Sequence, residues 1–199
     1  VRFVSRVPKK SMNDLRDSKS FSRTAAVAQT APLPMTSLQW LARIAQVVLL
    51  AAVYIGAGKA SLLLAIPPGY ASPVWPPSGI GLAALLIFGN RLWPGIWLGA
   101  AAVNYTVNES IFAAVMIATG NTLEALAGAT LIRHSIGVPH RFERGEDVVK
   151  FVAFCAISAT IAPTVGLVPL SIANGLAWDA LVRNWLTWLQ GDITGIVIV

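Results

Sequence analysis

Hydrophobic residues in this chain come in long runs rather than in the alternating or one-faced patterns of water-soluble elements, and the breaks between them are short. The first run, residues 44–66, is long enough to cross a hydrocarbon core of about 30 Å as a helix. It contains one charge, Lys59. Residues 71–81, ASPVWPPSGIG, follow. Pro73, Pro76 and Pro77 each fix φ and remove a backbone donor, so this segment is predicted as a rigid elbow from which a helix starts at Ser78 or Gly79. Residues 80–89 are too short to span alone; that crossing must borrow from residues 74–79 or remain partly re-entrant.

Further spans are predicted over residues 92–107, 111–132, 148–173 and 181–199, with tight turns at residues 90–91, 108–109 and 174–180 and a charged loop at residues 133–147. Pro163 and Pro169 should kink the fifth span or divide it. Trp93, Trp97 and Tyr105 suit the aromatic belts of the third. The predicted fold is therefore all-α: a polytopic integral-membrane helical bundle of about six spans.

Composition sharpens this picture. Of 199 residues 55% are hydrophobic and only 12% charged, too few to cover a soluble domain. Residues 1–37 carry Arg2, Arg6, Lys9, Lys10, Arg16, Lys19 and Arg23 among Ser, Thr and Ala, and read as a disordered basic tail ahead of a membrane domain over residues 38–199. The formal charge of +6 does not indicate nucleic acid, because the basic residues fall mainly in that tail and in one inter-span loop. They fit membrane orientation instead. With a cytoplasmic N-terminus, Arg43, Arg91, Arg133, Arg141, Arg144 and Lys150 share the inner side, and the elbow lies outside. Cys155 is the only cysteine, which excludes an intrachain disulfide and a cysteine-based zinc site.

Ionisable residues inside spans are costly and usually face a bundle interior or a watery cavity. Lys59, Glu124 and Asp192 are the three. A pair between Lys59 and either acid is one reading; a snorkelling Lys59 or a purely structural ion pair is the other. Gly120, Glu124 and Gly128 are spaced i, i+4, i+8 with Asn121 close by, a face suited to a tight helix contact sealed by polar groups. Trp185, Trp188 and Asp192 also share a face. Gly95/Gly99 and Gly191/Gly195 form GxxxG pairs, which admit a homodimer but arise often by chance in glycine-rich spans. The elbow has two readings: an interfacial loop with Trp75 anchored among headgroups, or a ligand-facing element. His134 and His140 have no metal-like spacing, and no base is paired with a nucleophile, so no catalytic residue, metal ligand or cofactor is assigned.

Three stretches, SPVWPPSGIGLAALLIFGNRLWPGIWLGA, GNTLEAL and W-x-x-W-x-x-GD-x-x-G, occur in the order found in the bacterial membrane-associated sensor family of the first MASE class, which the chain resembles from about Leu41 onward. The resemblance implies an N-terminal sensory input domain in the bacterial inner membrane. It also implies an output domain in cis: a cytoplasmic diguanylate cyclase, cyclic di-GMP phosphodiesterase, PAS or histidine kinase domain. Its motif positions include Trp75, Pro76, Pro77, Ser78, Asn104, Asn121, Glu124, Trp185, Trp188 and Asp192, which together with Lys59 are the candidate signal-sensing residues. Leu189, where family members often have Trp, and Ala162–Pro163, where a Gly follows the Ser-Ala-Thr-Ile run, depart from the pattern. Members have up to eight spans, which leaves room for further crossings beyond Val199. The expected partners are the lipid bilayer, an unidentified signal and the output domain. The rival reading is a small-solute transporter or channel, since broken helices and mid-span charges also line substrate pathways. No internal repeat supports it.

Overall fold

The computed structural model describes residues 36–65, 71–137, 144–174 and 177–199. The predicted basic tail, His140 and Arg141 lie outside the described residues. The chain divides into two units, Val1–Trp40 and Leu41–Val199. Helices α1 (Ser37–Leu62), α2 (Pro76–Phe88), α3 (Trp93–Asn108), α4 (Ile111–Ile136), α5 (Gly145–Ser158), α6 (Ile161–Asn174) and α7 (Trp178–Ile198) follow in order, with a 3-10 turn at Asn90–Leu92 and no strand among the described residues. The fold is all-helical, as predicted.

Local chemistry sets the helix ends. Thr36 and Gln39 form a reciprocal capping box: each side chain accepts from the other's backbone N–H, at 3.3 Å and 3.0 Å, which starts α1. Ser110 caps α4 by accepting from the Ala113 N–H at 3.3 Å. Pro76 and Pro77 open α2, where the missing N–H groups would have had no helical partner in any case. The division of the fifth span falls at Ala159 and Thr160, upstream of both prolines. Pro163 then stands in the first turn of α6, a position that tolerates it, and α6 stays helical through Pro169.

Among the described residues, three stretches are long and apolar enough to cross a membrane: Ser37–Leu62, Ile111–Ile136 and Gly145–Val168, the last continuing through the α5–α6 turn. The 13 residues of α2 reach only about 20 Å, less than the thickness of a hydrocarbon core. The helix takes in residues 76–79, part of the stretch from which the second span was expected to borrow.

Helix α4 is the centre of the bundle, packed against α2, α3, α5 and α6, while α2 also lies along α7. Helix α1 meets α3 where Val47, Leu50, Ala51 and Tyr54 abut Gly95 and Gly99. The paired positions rise together along both helices, so α1 and α3 run parallel. Leu85, Ile96, Ile117 and Ile132 are fully buried between these helices. Ile44, Val48 and Leu49 of α1 and Ile111, Phe112 and Leu123 of α4 point outward, the faces that meet lipid in a bilayer.

Arg133, near the end of α4, donates to the Asn90 side chain and to the Leu85 carbonyl. It thereby ties the end of α2 to the end of α4 and places Arg91 and Arg133 on one side of the bundle. Arg133→Met removes both bonds and leaves a partly buried carbonyl with one donor fewer. The expected loss is about 1–2 kcal/mol of stability, read as a lower midpoint in denaturant unfolding of the purified protein.

Candidate functional site

The elbow is inside the protein. Residues 71–75 run along α7, with Ala71, Ser72 and Trp75 buried. Non-helical backbone survives in an apolar surrounding only if its polar groups are matched. Pro73, Pro76 and Pro77 have no N–H to match. The Trp75 N–H donates to the Gly191 carbonyl at 3.0 Å, the Ser78 N–H donates to the Trp75 carbonyl at 3.2 Å, and the Ser72 hydroxyl lies 3.0 Å from the Ser61 carbonyl oxygen.

Glycines make this approach feasible. A Cβ on Gly191 would collide with the Ser72 carbonyl oxygen, one on Gly195 with that of Trp75, and one on Gly79 with the Gly195 carbonyl oxygen. The glycine face of α7 is therefore the seat of the elbow, and Gly95/Gly99 are taken up by α1. Both GxxxG pairs are spent within the chain, so neither points to a homodimer. The headgroup-anchor reading of Trp75 is corrected for the same reason. Its ring is 7% exposed and packed toward α1, within van der Waals reach of a Cβ on Gly58. The elbow is accordingly packed within the bundle, against α7 and beside Asp192.

Where α2 begins, the Ser78 hydroxyl donates to Asp192 Oδ1 at 2.7 Å. Glu124 faces the same place from α4, its carboxyl against that of Asp192 and near the Ser78 hydroxyl. Glu124 is 2% exposed and Asp192 is completely buried. Both Glu124 oxygens, Asp192 Oδ2 and Asn121 Oδ1 lack a hydrogen-bond donor, and the Asn121 amide nitrogen lacks an acceptor. No Lys, Arg or His among the described residues stands against either carboxyl. Tyr54 of α1 completes the centre: its buried hydroxyl faces Trp75 and Asn121, short of hydrogen-bond distance to either. A cavity of about 20 Å³ adjoins this group, lined by Ala71, Ser72, Trp75, Asn104, Asn121 and Trp188, with room for about one water molecule.

Most of the sequence-predicted residues converge here. Trp75, Pro77, Ser78, Asn121, Glu124 and Asp192 are buried around the centre, and Pro76 is half-buried at the start of α2. Asn104 lines the cavity while its amide donates to the Ala100 carbonyl at 2.8 Å. Trp188 lies over Gly166 of α6 and closes the cavity on that side. Trp185, on the same face one turn away, does not join; it bonds Thr164 at 3.1 Å and lines a separate apolar groove between α6 and α7. Lys59 is a correction. It is exposed on α1, whereas both acids are buried, so the pairing considered for it is not formed. Among the departures from the resembled pattern, Ala162 is fully buried against Gly120, the close contact between α4 and α6.

Tyr54 was not among the candidates, although α1 carries a signal for it. Leu50, Tyr54, Gly58 and Ser61 recur at helical spacing and form the buried stripe of that helix. Lys59 follows Gly58 directly, but the next residue of a helix is turned about 100° away.

An all-helical domain with lipid-facing apolar surfaces, wrapped round a buried acid pair and an internal elbow, defines an integral-membrane protein whose polar groups serve something other than solubility. The particular family follows from comparison: the MASE1 family model matches residues 45–199, most of the chain, and the chain belongs to that family of membrane sensory domains. No curated protein and no solved structure shows a significant match to it.

Proposed function

We propose that this chain is the sensory input domain of a bacterial inner-membrane signalling protein. It receives a signal within the membrane and passes it to a cytoplasmic output domain in cis, of the diguanylate cyclase, phosphodiesterase or histidine kinase kind. The observation that carries the reading is the convergence of Ser78, Asn121, Glu124 and Asp192, from three separate motifs, on one buried centre. Purely structural packing would leave such positions apolar, since each unpaired polar group in a dry interior costs free energy. A signal acts only by stabilising two arrangements unequally. The seam between the elbow and α7 joins two elements through one side-chain bond and one backbone bond, and it lies beside the orphaned groups. Reception, not catalysis, is the role assigned to this chain. Charge asymmetry supports a cytoplasmic N-terminus with about six crossings.

Sequencing the complete gene tests the reading. A cyclase, phosphodiesterase or kinase domain is expected downstream of Val199 after a helical linker. A reading frame that closes there, or continues only as further apolar spans, favours solute transport and overturns it.

A further inference from the structure

The buried centre combines features that do not arise from packing alone. Two carboxyl groups face each other with no basic side chain opposite either. Five oxygen atoms lack a hydrogen-bond partner: both of Glu124, Oδ2 of Asp192, Oδ1 of Asn121 and the Tyr54 hydroxyl. They are contributed by α1, α4 and α7, and Ser78 holds the remaining Asp192 oxygen in place from α2. An uncompensated pair of acids in a dry interior is strongly unfavourable, and a bound cation is one standard remedy.

From this arrangement we infer that Glu124 and Asp192, with Asn121 and Tyr54, form a site for a small monovalent cation of sodium size. Oxygen-only donors suit a hard cation and exclude a thiophilic one, and among the described residues no group of three or more His, Cys, Asp or Glu is present to hold a transition metal. The adjoining space argues against common divalent ions. Magnesium retains several waters where about 20 Å³ admits about one, and five free oxygens with one water reach only the lower limit of the six to eight oxygens that calcium takes. Asn121 belongs both to the centre and to the cavity wall, so the cavity borders the site. Cation occupancy would draw α4 and α7 together and hold the elbow between them. This assignment names a ligand class for the centre and rests on the sensory reading only for its biological meaning, because binding is a property of the chain alone.

The test is thermal unfolding of the purified full chain in detergent, in sodium, lithium, potassium, calcium or choline chloride at constant ionic strength. Sodium at about ten times its Kd is expected to raise the unfolding midpoint by about 3–6 °C over choline, saturably, with a smaller effect of potassium. Glu124→Gln and Asp192→Asn should each melt cooperatively in choline and lose the sodium-dependent rise. Sodium-23 line broadening in the wild-type chain, reversed by lithium, gives a second readout that needs no variant. Four results overturn the assignment: no sodium-specific rise and no line broadening, an equal rise with potassium, a rise with calcium alone, or a sodium rise that persists in both variants. Failure here removes the cation and leaves the sensory reading standing, whereas a sodium rise without any signalling domain downstream does the reverse.

Discussion

Gly195→Leu is expected to abolish assembly of the domain in the membrane. At this position the α7 backbone touches the Trp75 carbonyl, and a side chain would have to displace the whole Trp75–Pro76 peptide, whose oxygen, carbon and nitrogen all lie against the same point. Backbone cannot rotate away as a flexible side chain can. Separating the two elements also breaks the Trp75 N–H bond to Gly191 and pulls Ser78 from Asp192, exposing unmatched polar groups to an apolar surrounding. These losses act together and exceed about 3 kcal/mol, a large part of the stability of a typical domain. The measurement is monodisperse yield from membranes by size-exclusion chromatography of a fluorescent fusion. Gly56→Leu is the control, because a Cβ there meets nothing within 4 Å. Near-wild-type yield for Gly195→Leu would mean that the elbow is not seated on α7.

Trp75→Ala is expected to cost about 3–5 kcal/mol, the range for removing a buried indole where surroundings collapse only partly. The ring fills the space between Tyr54, Gly58 and the cavity wall, so its loss enlarges the small cavity beside Asn121. Trp75→Phe separates packing from polarity. The indole nitrogen has no acceptor within hydrogen-bond distance, so phenylalanine keeps most of the contact area and forfeits no bond; a loss below about 1.5 kcal/mol is expected. Unfolding midpoints of the two variants in one detergent check both. Equal losses would place the importance of Trp75 in its N–H, not in its ring.

The helices and their order are readable from the chain because apolar runs and punctuating residues act locally. Ser110 marks a helix end through its side-chain oxygen, and Glu109, Pro76 and Pro77 do so through their backbone conformation. The site is only partly readable. Glu124 and Asp192 stand out as acids within apolar spans, and their burial follows from the cost of leaving them in lipid. Which groups meet them depends on the path of the elbow, and that path depends on glycines whose partner no spacing rule identifies. Gly191 and Gly195 present a smooth face to any neighbour; only the fold shows that residues 72–76 occupy it. The same limitation explains Lys59 and Tyr54. A charge inside a span draws attention, but the helical phase of the stripe Leu50, Tyr54, Gly58 and Ser61 turns Lys59 outward and the tyrosine hydroxyl inward.

The central claim is that the buried acid pair, held to the elbow by Ser78, is where the signal takes effect. It is tested most directly by the signalling output of the full-length protein in its native membrane, with Glu124→Gln and Asp192→Asn measured beside wild type across conditions that change wild-type output. Both substitutions preserve shape while removing charge, so the domain should still accumulate in the membrane. The expected result is an output locked at one level in each variant. A wild-type response in both variants would contradict the claim and reduce the acid pair to a structural feature.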